Sequence, residues 1–416
     1  MGVILSRKNL GINGMGRIGK LTLWYHLHEN HFNGFVVNVG RKVGNSLEDI
    51  IHFLETDSTY GSLEKFLFGI RSKKEIKIID KENNKLEIFG KPVKFLCRAR
   101  NPKDIRWKEN QVRIVVDTTG AFNDPTRNED HVNGSLRGHL FSGAKKVINS
   151  APFKTRDKAR KKPEDCVTLI YGINHTSFNP YYDKIISAAS CTTTALAHMV
   201  KPLLEKEETS NILTASLSTI HAATNSQKVL DSVPSSGTSD LRKNRMAFNN
   251  IILSTTGAAA TLEKVIPEIK RVGFMADSIR IPIDTVSLIN LNLTFHTCMD
   301  RRGNPVISRE FLNQIYRKAA DNAQKGLLFY SDTQNVSSDL KGKMAAVVIE
   351  GHDTHTRTGF IDLKSEMLKK MGYENVNEIN IPVTHSALFG WYDNEFGSYV
   401  NCLGKLTIYI DNQLGE

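Results

Sequence analysis

A glycine-dense turn near the N-terminus constrains the fold more than any other part of the chain. Gly14, Gly16 and Gly19 form a G-x-G-x-x-G pattern between a short apolar segment, 9–13, and a helical run, 17–28. In this context the first glycine permits a tight turn, the second lets backbone approach a pyrophosphate, and the third allows close helix–strand packing. The helix N-terminus also offers N–H groups to phosphates. The pattern therefore predicts a dinucleotide-binding opening, and a glycine turn without a ligand is the alternative.

The elements that follow this turn alternate between strands and helices as far as residue 190. A second apolar strand, 34–39, lies at the distance expected for a right-handed βαβ crossover. Further strands are predicted at 112–117, 146–149, 167–171 and 184–188, with a helix over 128–143. Alternation of this kind favours a mostly parallel sheet. We therefore expect an α/β fold whose first domain, 1–190, is a Rossmann-like dinucleotide-binding domain.

The pattern changes after Cys191. A helix over 192–206 is followed by long strand-like stretches at 211–221, 284–298 and 345–350. Strands that are grouped, rather than separated by helices, are typical of an antiparallel or mixed sheet. We therefore expect a second, α+β domain over 191–391 with a mostly antiparallel sheet.

Composition excludes several classes of protein. The 416 residues are 40% hydrophobic and 24% charged and contain no long apolar run, which excludes a transmembrane or disordered chain. The five cysteines are odd in number and lack C-x-x-C spacing, so we expect reduced thiols and a cytoplasmic location. His352 and His355 form an H-x-x-H pair, which we interpret as a surface loop pair, so we expect no metal site. The net charge of +11 is not gathered in one stripe, and its densest run, 154–162, is interpreted as a solvated loop. We expect neither a membrane nor a nucleic acid as a partner.

The end of the second strand bears on the identity of the dinucleotide. An acidic residue is expected there, where it accepts hydrogen bonds from the adenosine ribose hydroxyls, but this chain has Val39. Arg41 and Lys42 follow closely. Loss of the carboxylate removes repulsion of a 2′-phosphate, and two cations attract one. The sequence therefore favours NADP over NAD.

A cysteine and a histidine are the candidate catalytic pair. Cys191 stands at the start of the helix over 192–206, where the positive end of the helix dipole favours thiolate over thiol. His221 ends the strand over 211–221 and is placed to supply the base that a cysteine nucleophile requires. A structural thiol and a core histidine are the alternatives.

Seven collinear segments between residues 11 and 395 carry a resemblance to a known family. They are 11–19, 117–122, 143–152, 189–193, 219–225, 254–259 and 391–395. On these segments the chain resembles phosphorylating glyceraldehyde-3-phosphate dehydrogenase. The resemblance implies reversible, phosphate-dependent oxidation of glyceraldehyde 3-phosphate to 1,3-bisphosphoglycerate, as in glycolysis and gluconeogenesis. It also implies a homotetramer, and a C-terminal helix at 392–416 that completes the first domain.

The resemblance assigns roles to individual residues. Cys191 attacks the aldehyde, His221 takes the thiol proton and then assists hydride departure, and inorganic phosphate cleaves the resulting thioester. The cofactor-binding residues implied by motif and resemblance are Gly14, Gly16, Arg17, Ile18, Gly19, Val39, Arg41, Lys42, Thr119, Gly120, Ser150 and Asn394. The residues implied for substrate and inorganic phosphate are Ser190, Thr192, Thr224, Lys243, Thr256, Gly257 and Arg280.

Departures from the family pattern keep other functions open. Ser226 stands where an aspartate is usual, Lys243 where an arginine is common, and the chain is longer, chiefly through an insertion at about 338–389. An enzyme acting on erythrose 4-phosphate or another sugar-phosphate aldehyde is therefore an alternative. A catalytically silent relative that binds RNA or a protein partner is the alternative from another class. The presence of both Cys191 and His221 speaks against it, since binding alone demands neither.

Overall fold

The chain divides into two compact units, each with its own sheet. The computed structural model describes residues 9–71, 75–97, 99–155, 157, 159–225, 227–238, 240–374 and 376–415. The first unit comprises Met1–Ser190 and Glu395–Glu416, and the second comprises Cys191–Asn394. Both units mix helices with strands, which confirms the predicted α/β fold class.

The first unit is built from short strands and helices. Its strands are β1 (Asn9–Asn13), β2 (Phe35–Asn38), β3 (Thr56–Asp57), β4 (Gly61–Ser62), β5 (Ile76–Asp80), β6 (Lys85–Ile88), β7 (Lys91–Leu96), β8 (Val112–Asp117), β9 (Lys146–Asn149), β10 (Cys166–Thr168) and β11 (Ile185–Ser187). Its helices are α1 (Arg17–Glu29), α2 (Leu47–Glu55), α3 (Leu63–Phe68), α4 (Leu136–Phe141) and a C-terminal helix (Asn401–Gln413). Single 3-10 turns lie at Gly69–Arg71, Pro102–Asp104, Lys108–Asn110 and His175–Ser177, and a π-helical turn lies at Phe396–Val400.

Within the described residues, the main sheet of this unit has nine strands in the order β10-β11-β9-β8-β1-β2-β7-β6-β5. Every neighbouring pair from β10 to β7 is parallel, and only the β7–β6–β5 end is antiparallel. Parallel strands need crossover connections, which the intervening helices supply. The prediction of a mostly parallel, Rossmann-like sheet is confirmed.

Helix α1 lies in the interior of this unit. Residues 19–27 are all buried, so the helix is covered on every side rather than along one apolar stripe. Asn30 ends the helix in a left-handed conformation with φ 54°, which lets its N–H close the last turn. Asp411 of the C-terminal helix binds His31 at 2.9 Å and Arg113 at 2.7 Å, which fixes that helix in the same unit.

Two helices are shorter than the sequence predicts. The helix expected over 128–143 is limited to α4, because the Ser135 Oγ accepts an N–H of the first turn at 3.1 Å and caps it there. Gly134 precedes the cap with φ +76°, which is incompatible with a continuous right-handed helix. The helix expected over 392–416 is limited to Asn401–Gln413, after the π-helical turn.

The second unit has longer strands. They are β12 (Ile212–His221), β13 (Ile252–Thr255), β14 (Gly273–Arg280), β15 (Ser287–His296), β16 (Leu328–Ser331), β17 (Val347–Glu350), β18 (His355–Lys364) and β19 (Glu378–Tyr392). The helices are α5 (Cys191–Leu204), α6 (Glu207–Ser210), α7 (Ala258–Val265), α8 (Arg309–Asp321) and α9 (Ser365–Lys370). Single 3-10 turns lie at Leu241–Asn244, Pro267–Arg271, Ser337–Leu340 and Gly351–Asp353.

The described strands of the second unit form a sheet in the order β13-β14-β12-β15-β19-β17-β16, with β18 paired to β19. Two pairs, β12–β14 and β16–β17, are parallel, and the others are antiparallel. Alternate residues of β15, from Ile289 to Phe295, have no exposed surface, as expected for a strand with one face on the core. The prediction of a mostly antiparallel sheet is confirmed.

The stretch in which an insertion is expected, 338–389, contains β17, β18, α9 and most of β19. β17 lies within the sheet, and β18 and β19 form a hairpin whose register runs from His355↔Ala387 to Lys364↔Glu378. Apolar side chains at the far end of the hairpin are exposed, including Phe360 at 56%. This stretch thus contributes both to the core and to an exposed surface of the second unit.

Candidate active site

In the first unit, a cavity of about 430 Å³ opens at the carboxyl ends of β1, β2 and β8. The register sets Asn13 level with both Asn38 and Asp117, so the chain leaves all three strands at one edge. β1 has these neighbours on opposite sides, which makes the edge a topological switch point, where α/β folds bind ligands. The cavity is lined by Asn13, Gly14, Asn38, Val39, Gly40, Arg41, Arg100, Asn101, Thr119, Ala121, Phe122, Val132 and Asn133.

The three glycines of the N-terminal turn meet different spatial demands. Gly14 has φ +101°, a conformation that side chains disfavour. A Cβ on Gly19 would lie 2.2 Å from the Gly14 carbonyl oxygen, so α1 approaches the turn more closely than any side chain permits. Gly16 is exposed, with open space at its Cβ position, which leaves room for a ligand against its backbone. This geometry is compatible with a pyrophosphate at the turn.

A buried hydrogen-bond network fixes the edge that borders the cavity. Asp117 accepts from Asn13 Nδ2 at 2.7 Å and from Thr119 Oγ1 at 2.6 Å. It also pairs with His139 Nε2 at 2.9 Å, while His139 Nδ1 accepts from Trp107 Nε1 at 2.8 Å. Burial opposes ionisation of Asp117, but its hydrogen bonds, led by that from His139, hold its pKa below the ordinary value. The ends of β1 and β8 are thereby tied together.

Two cofactor candidates follow strands at this edge. Gly120 is exposed in the loop after β8 and has φ +66°. Ser150 follows β9, and its N–H donates to the Asp117 carbonyl at 2.9 Å. Both therefore lie on loops that begin at the edge where the cavity opens.

The residues predicted to hold a 2′-phosphate are only partly gathered at the cavity. Val39 and Arg41 line it, whereas Lys42 is exposed and does not belong to the described lining. Arg100 lines it as well. Gly40 packs closely against the chain there, since a Cβ on it would lie 3.2 Å from the Ala99 carbonyl oxygen. The described lining thus offers two guanidinium groups and no carboxylate.

Asn38 presents a buried acceptor at the same cavity. Its Nδ2 donates to Asn13 Oδ1 at 2.7 Å and to the Ala99 carbonyl at 2.9 Å. Its Oδ1 is buried and has no hydrogen-bond partner among the described residues. A ribose hydroxyl is the kind of donor that satisfies such an oxygen. The residues present therefore fit a dinucleotide.

Arg17 was expected to contact the cofactor, and its guanidinium is engaged within the first unit instead. It forms ion pairs with Asp57 and Glu395, the latter with Nε at 3.1 Å from Oε2. Lys20 joins Asp57 at 2.6 Å. Burial opposes ionisation of Asp57, but Lys20 and Arg17 lower its pKa to about 2. Arg17 and Ile18 can instead offer a phosphate their backbone N–H groups at the start of α1.

In the second unit, the structure brings Cys191 and His221 together. Cys191 is the first residue of α5, and its Sγ lies 3.5 Å from His221 Nε2. His221 is the buried last residue of β12, and its Nδ1 lies 2.8 Å from the Ala222 carbonyl oxygen. Because a carbonyl only accepts, Nδ1 carries the proton and Nε2 keeps its lone pair toward the sulfur. In this arrangement an imidazole can accept a thiol proton.

Burial acts against the thiolate that the sequence predicts at Cys191. Burial, reinforced by the positive charge of Arg280, lowers the pKa of His221 to about 3. Burial also raises the pKa of the Cys191 thiol, although Arg280 and hydrogen bonds at Thr192 act in the opposite direction. Desolvation of the charged forms thus outweighs the helix dipole. Burial therefore favours the neutral forms of both groups.

A tyrosine hydroxyl lies beside this pair. Tyr392 Oη is 2.9 Å from Thr192 Oγ1 and 2.8 Å from Thr219 Oγ1, and all three residues are buried. The tyrosine ring packs edge-on against His221, with 6.1 Å between ring centroids. The hydroxyl of Thr192, expected to bind phosphate, therefore has a protein partner in this structure.

Arg280 and helix α7 supply groups that suit anions. Arg280 is level with His221 in the parallel register of β14 and β12. Gly257 precedes α7 and has open space around its Cβ position, while Thr256 Oγ1 accepts an N–H of the first turn at 3.3 Å. A fixed guanidinium and a helix N-terminus are both phosphate-binding groups.

The other substrate candidates are less closely tied to the pair. The Thr224 N–H donates to Gln227 Oε1 at 3.1 Å in the loop after β12. Lys243 is exposed in the turn Leu241–Asn244. Ser190 is the last residue of the first unit's N-terminal segment, Met1–Ser190. Ser226 lies outside the described residues.

Asn394, expected to contact the cofactor, is buried and held by a serine. Ser287 Oγ donates to Asn394 Oδ1 at 3.0 Å. Val286, just before it, is 1% exposed and has φ +66°, which costs about 1–3 kcal/mol for a β-branched residue. On the other side of Val286, Thr285 Oγ1 donates to Asp393 Oδ1 at 2.9 Å. Two adjacent side chains after β19 are thereby anchored at the start of β15.

Sequence reasoning missed four residues of these two sites. Tyr392 stands inside the matched segment 391–395, which is a usable signal. Ser287 opens a long apolar strand, and a polar residue at that point indicates a fixed strand end. Arg100 and Asn38 carry no local signal, because their place at the cavity depends on how distant strands pair.

Two features of the described residues bear on other functions. No helix in that part of the chain is long and apolar enough to span a membrane. The same residues contain no group of three or more His, Cys, Asp or Glu side chains that could hold a metal ion.

Comparisons with known proteins define the class. A protein-family model described as "Glyceraldehyde 3-phosphate dehydrogenase, NAD binding domain" matches residues 8–125. A second, for the C-terminal domain of the same family, matches residues 190–375. Together with the fold, these matches define a nicotinamide-dependent oxidoreductase that acts on aldehydes.

Named relatives agree with this class. The chain is 32% identical to glyceraldehyde-3-phosphate dehydrogenase of Streptomyces coelicolor, over 97% of this chain and 99% of the relative. It is 31% identical to glyceraldehyde-3-phosphate dehydrogenase 2 of Bacillus subtilis, over 93% and 92%. It is also 31% identical to the chloroplastic glyceraldehyde-3-phosphate dehydrogenase B of Pisum sativum, over 95% and 72%. The chain belongs to the glyceraldehyde-3-phosphate dehydrogenase family.

Proposed function

We propose that this protein oxidises glyceraldehyde 3-phosphate to 1,3-bisphosphoglycerate, reversibly and with inorganic phosphate, through a thioester on Cys191. The observation that carries the proposal is the 3.5 Å contact between Cys191 Sγ and His221 Nε2, with the imidazole fixed in the tautomer that accepts a proton. A thiol and a base in contact are what thioester formation from an aldehyde requires.

The first step follows from the neutral state of the pair. Cys191 Sγ bonds to the aldehyde carbon while His221 Nε2 accepts the thiol proton, and the carbonyl electron pair moves to oxygen. The imidazolium and the backbone N–H at the start of α5 stabilise the oxyanion. The imidazolium and the oxyanion form together in this step. Their mutual attraction therefore offsets the cost of burying the two charges.

The second step is the oxidation. As the oxyanion re-forms the carbonyl, the hydrogen on the same carbon leaves with its electron pair. The nicotinamide ring of the cofactor, when bound, supplies the acceptor for this hydride. Cys191 is left as a thioester, and His221 holds the proton taken from the thiol.

The third step releases the product. An oxygen of inorganic phosphate attacks the thioester carbon, the carbon–sulfur bond breaks, and Cys191 Sγ takes the proton back from His221. Arg280, Thr224, Thr256 and Gly257 supply the anion-binding groups for the two phosphates, in which Ser190, Thr192 and Lys243 are also proposed to take part. The guanidinium and the N-terminus of α7 support this assignment through their geometry.

We further propose that NADP is the preferred dinucleotide, which suits reduction of the acyl phosphate in a biosynthetic direction. Arg41 and Arg100 at the cavity, with Val39 in place of a carboxylate, support a 2′-phosphate. Gly14, Gly16, Gly19 and the N–H groups of Arg17 and Ile18 would hold the pyrophosphate. Thr119, Gly120, Ser150 and Asn394 would hold the nicotinamide half.

We also propose a homotetramer in the cytoplasm. The exposed apolar residues of β13, β14 and the loops before them support an assembly, since exposed apolar surface is characteristic of protein–protein contacts. They include Val229, Leu230, Val233, Leu241, Phe248, Ile251, Leu253 and Met275. The thiols of all five cysteines are free, which fits a reducing compartment.

Steady-state kinetics test the reaction. The rate of NAD(P)H formation is measured with glyceraldehyde 3-phosphate, with and without phosphate, and with NAD or NADP. We expect turnover that requires phosphate and is lost in Cys191→Ser, while His221→Asn lowers kcat by about 10²–10⁴-fold. Turnover with erythrose 4-phosphate at a higher kcat/KM would replace the proposed substrate, and turnover in Cys191→Ser would contradict the mechanism.

A further inference from the structure

Ser287 joins two parts of the second unit that the proposed mechanism treats separately. It is the first residue of β15 and has no exposed surface. Its Oγ lies 3.0 Å from the Ala222 backbone nitrogen and 3.0 Å from Asn394 Oδ1. One buried hydroxyl thus touches the residue after the catalytic base and the amide proposed to bind the cofactor.

The two hydrogen bonds of Ser287 run in opposite directions. A backbone N–H only donates, so the serine oxygen accepts from Ala222. In the structure the hydroxyl hydrogen points to Asn394, where Oδ1 accepts it, and Tyr392 is a further hydrogen-bond partner of the Ser287 hydroxyl. Ser287 therefore sets the orientation of the Asn394 amide and leaves its Nδ2 end to donate elsewhere.

Ala222 links Ser287 to the catalytic base His221. Its carbonyl accepts from His221 Nδ1 at 2.8 Å, and the Arg280 guanidinium approaches the same oxygen at 3.4 Å. With its N–H held by Ser287, this residue has both backbone polar groups fixed. The imidazole tautomer and ring orientation therefore depend on a backbone that Ser287 anchors.

The backbone at Ser287 is itself held in an uncommon conformation. Val286 has a left-handed φ of +66°, and its neighbours Thr285 and Ser287 are bonded to the adjacent residues Asp393 and Asn394. Strained residues persist where the surroundings over-determine them, and they cluster at functional sites. The strain indicates that this strand end is built to place side chains rather than only to pair.

We propose that Ser287 is a positioning residue whose single hydroxyl aligns the catalytic base His221 and the nicotinamide-binding amide of Asn394. The inference rests on the proposed function for the role of Asn394. The proposed effect of Ser287 on His221 rests only on contacts within the second unit, so it can be tested in the cofactor-free enzyme.

The first experiment measures alkylation of Cys191 by iodoacetamide in the cofactor-free enzyme, from about pH 5.5 to 9.5. We expect Ser287→Ala to lower the second-order rate constant at neutral pH by about fivefold to twentyfold, because the imidazole is no longer held toward the sulfur. Ser278→Ala is the matched control. Ser278 is a buried serine of the same sheet, and its Oγ has no hydrogen-bond partner among the described residues.

The second experiment separates the nicotinamide from the rest of the cofactor. Binding of NADP and of 2′-phospho-ADP-ribose, which lacks the nicotinamide ring, is measured by calorimetry. We expect Ser287→Ala to raise the Kd for NADP by about tenfold and to change the Kd for 2′-phospho-ADP-ribose by less than about twofold. In an Asn394→Ala background the effect on NADP should vanish, since Ser287 acts through that amide.

The outcomes are distinct. Unchanged alkylation and an unchanged ratio of NADP to 2′-phospho-ADP-ribose affinity in Ser287→Ala would overturn the proposal. Equal weakening of both ligands would also overturn it, because it would indicate a general structural loss. Ser287→Thr, which keeps the hydroxyl, should restore both readouts if Ser287→Ala folds poorly. A wild type that binds both ligands equally would contradict the proposed nicotinamide site and leave the alkylation test intact.

Discussion

Arg280 lies directly opposite His221 on the neighbouring strand of the second unit, in the parallel register of β14 and β12. A fixed cation therefore faces the imidazole, and together with burial it disfavours the imidazolium. The same cation lowers the cost of a thiolate on Cys191. One arginine thus keeps the base unprotonated and favours the nucleophile, besides offering a site for a phosphate.

Arg280→Gln should raise the pKa of His221, because a neutral side chain no longer repels the imidazolium. The change is measured by NMR titration of the labelled imidazole in the cofactor-free enzyme. We also expect kcat/KM for glyceraldehyde 3-phosphate to fall by about 10²-fold through loss of a charge-assisted phosphate contact. Arg309→Gln makes the same charge change elsewhere in the unit and should alter neither quantity. An unmoved His221 titration in Arg280→Gln would refute the electrostatic role.

Cofactor preference should depend on the cavity and not on nearby charge in general. Val39→Asp is expected to lower kcat/KM with NADP by about 10–100-fold and to raise it with NAD, because a carboxylate repels a 2′-phosphate and accepts from ribose hydroxyls. Arg41→Ala and Arg100→Ala should each reduce only the NADP value. Lys42→Ala, outside the described lining, is the control and should have little effect. A wild-type kcat/KM that is higher with NAD than with NADP would contradict the proposed 2′-phosphate site at the cavity.

The N-terminal turn offers a matched pair of glycine substitutions. Gly19→Ala places a Cβ 2.2 Å from the Gly14 carbonyl oxygen, so we expect a loss of about 2–4 kcal/mol in unfolding free energy. Gly16→Ala meets no atom of the described chain within 4 Å and should leave stability within about 1 kcal/mol while weakening dinucleotide binding. Chemical denaturation and calorimetric binding check the two. Full cofactor affinity in Gly16→Ala would show that the turn does not cradle the pyrophosphate.

The buried ring of His26 should make the first unit sensitive to acid. Both ring nitrogens are buried without a hydrogen-bond partner among the described residues, and burial, aided by His31, lowers the pKa of His26 to about 3. Between that value and the ordinary pKa of about 6.5, the unfolded state binds the extra proton. Stability is therefore lost as pH falls below about 6.5, by up to ~1.4 kcal/mol per pH unit for this group.

His26→Phe should reduce that loss. Urea unfolding at about pH 5 and pH 7.5 should show a smaller difference for the variant by about 1–2 kcal/mol. His28→Gln is the control, since His28 is exposed and paired with Glu29 at 3.3 Å. If wild type and His26→Phe lose the same stability on acidification, the ring of His26 is not the titrating group.

Much of the fold was predictable because its signals are local. The apolar runs that became β1, β8 and β9 have the bounds that the sequence predicts, and the G-x-G-x-x-G turn fixed the start of α1. The helix over 128–143 was overestimated because its helical pattern outweighed Gly134 and the capping Ser135. Local turn chemistry overrode periodicity there.

The candidate site was predictable in its residues more than in its electrostatics. Cys191 and His221 are 30 positions apart, and the structure brings them into contact as expected. The state of the pair was not predictable, because the helix dipole is a local signal whereas burial depends on the whole unit. Arg100 and Ser287 depend on strand pairing and backbone strain, which no short segment of sequence encodes.

The proposed reaction depends on a covalent acyl intermediate on Cys191. The most direct measurement is intact and peptide mass spectrometry of the enzyme after a rapid acid quench, with glyceraldehyde 3-phosphate and NADP present and phosphate absent. We expect one acyl group per chain on Cys191, one equivalent of NADPH, and loss of the adduct when phosphate is added. NADPH formation without an adduct, or an adduct on another residue, would contradict it.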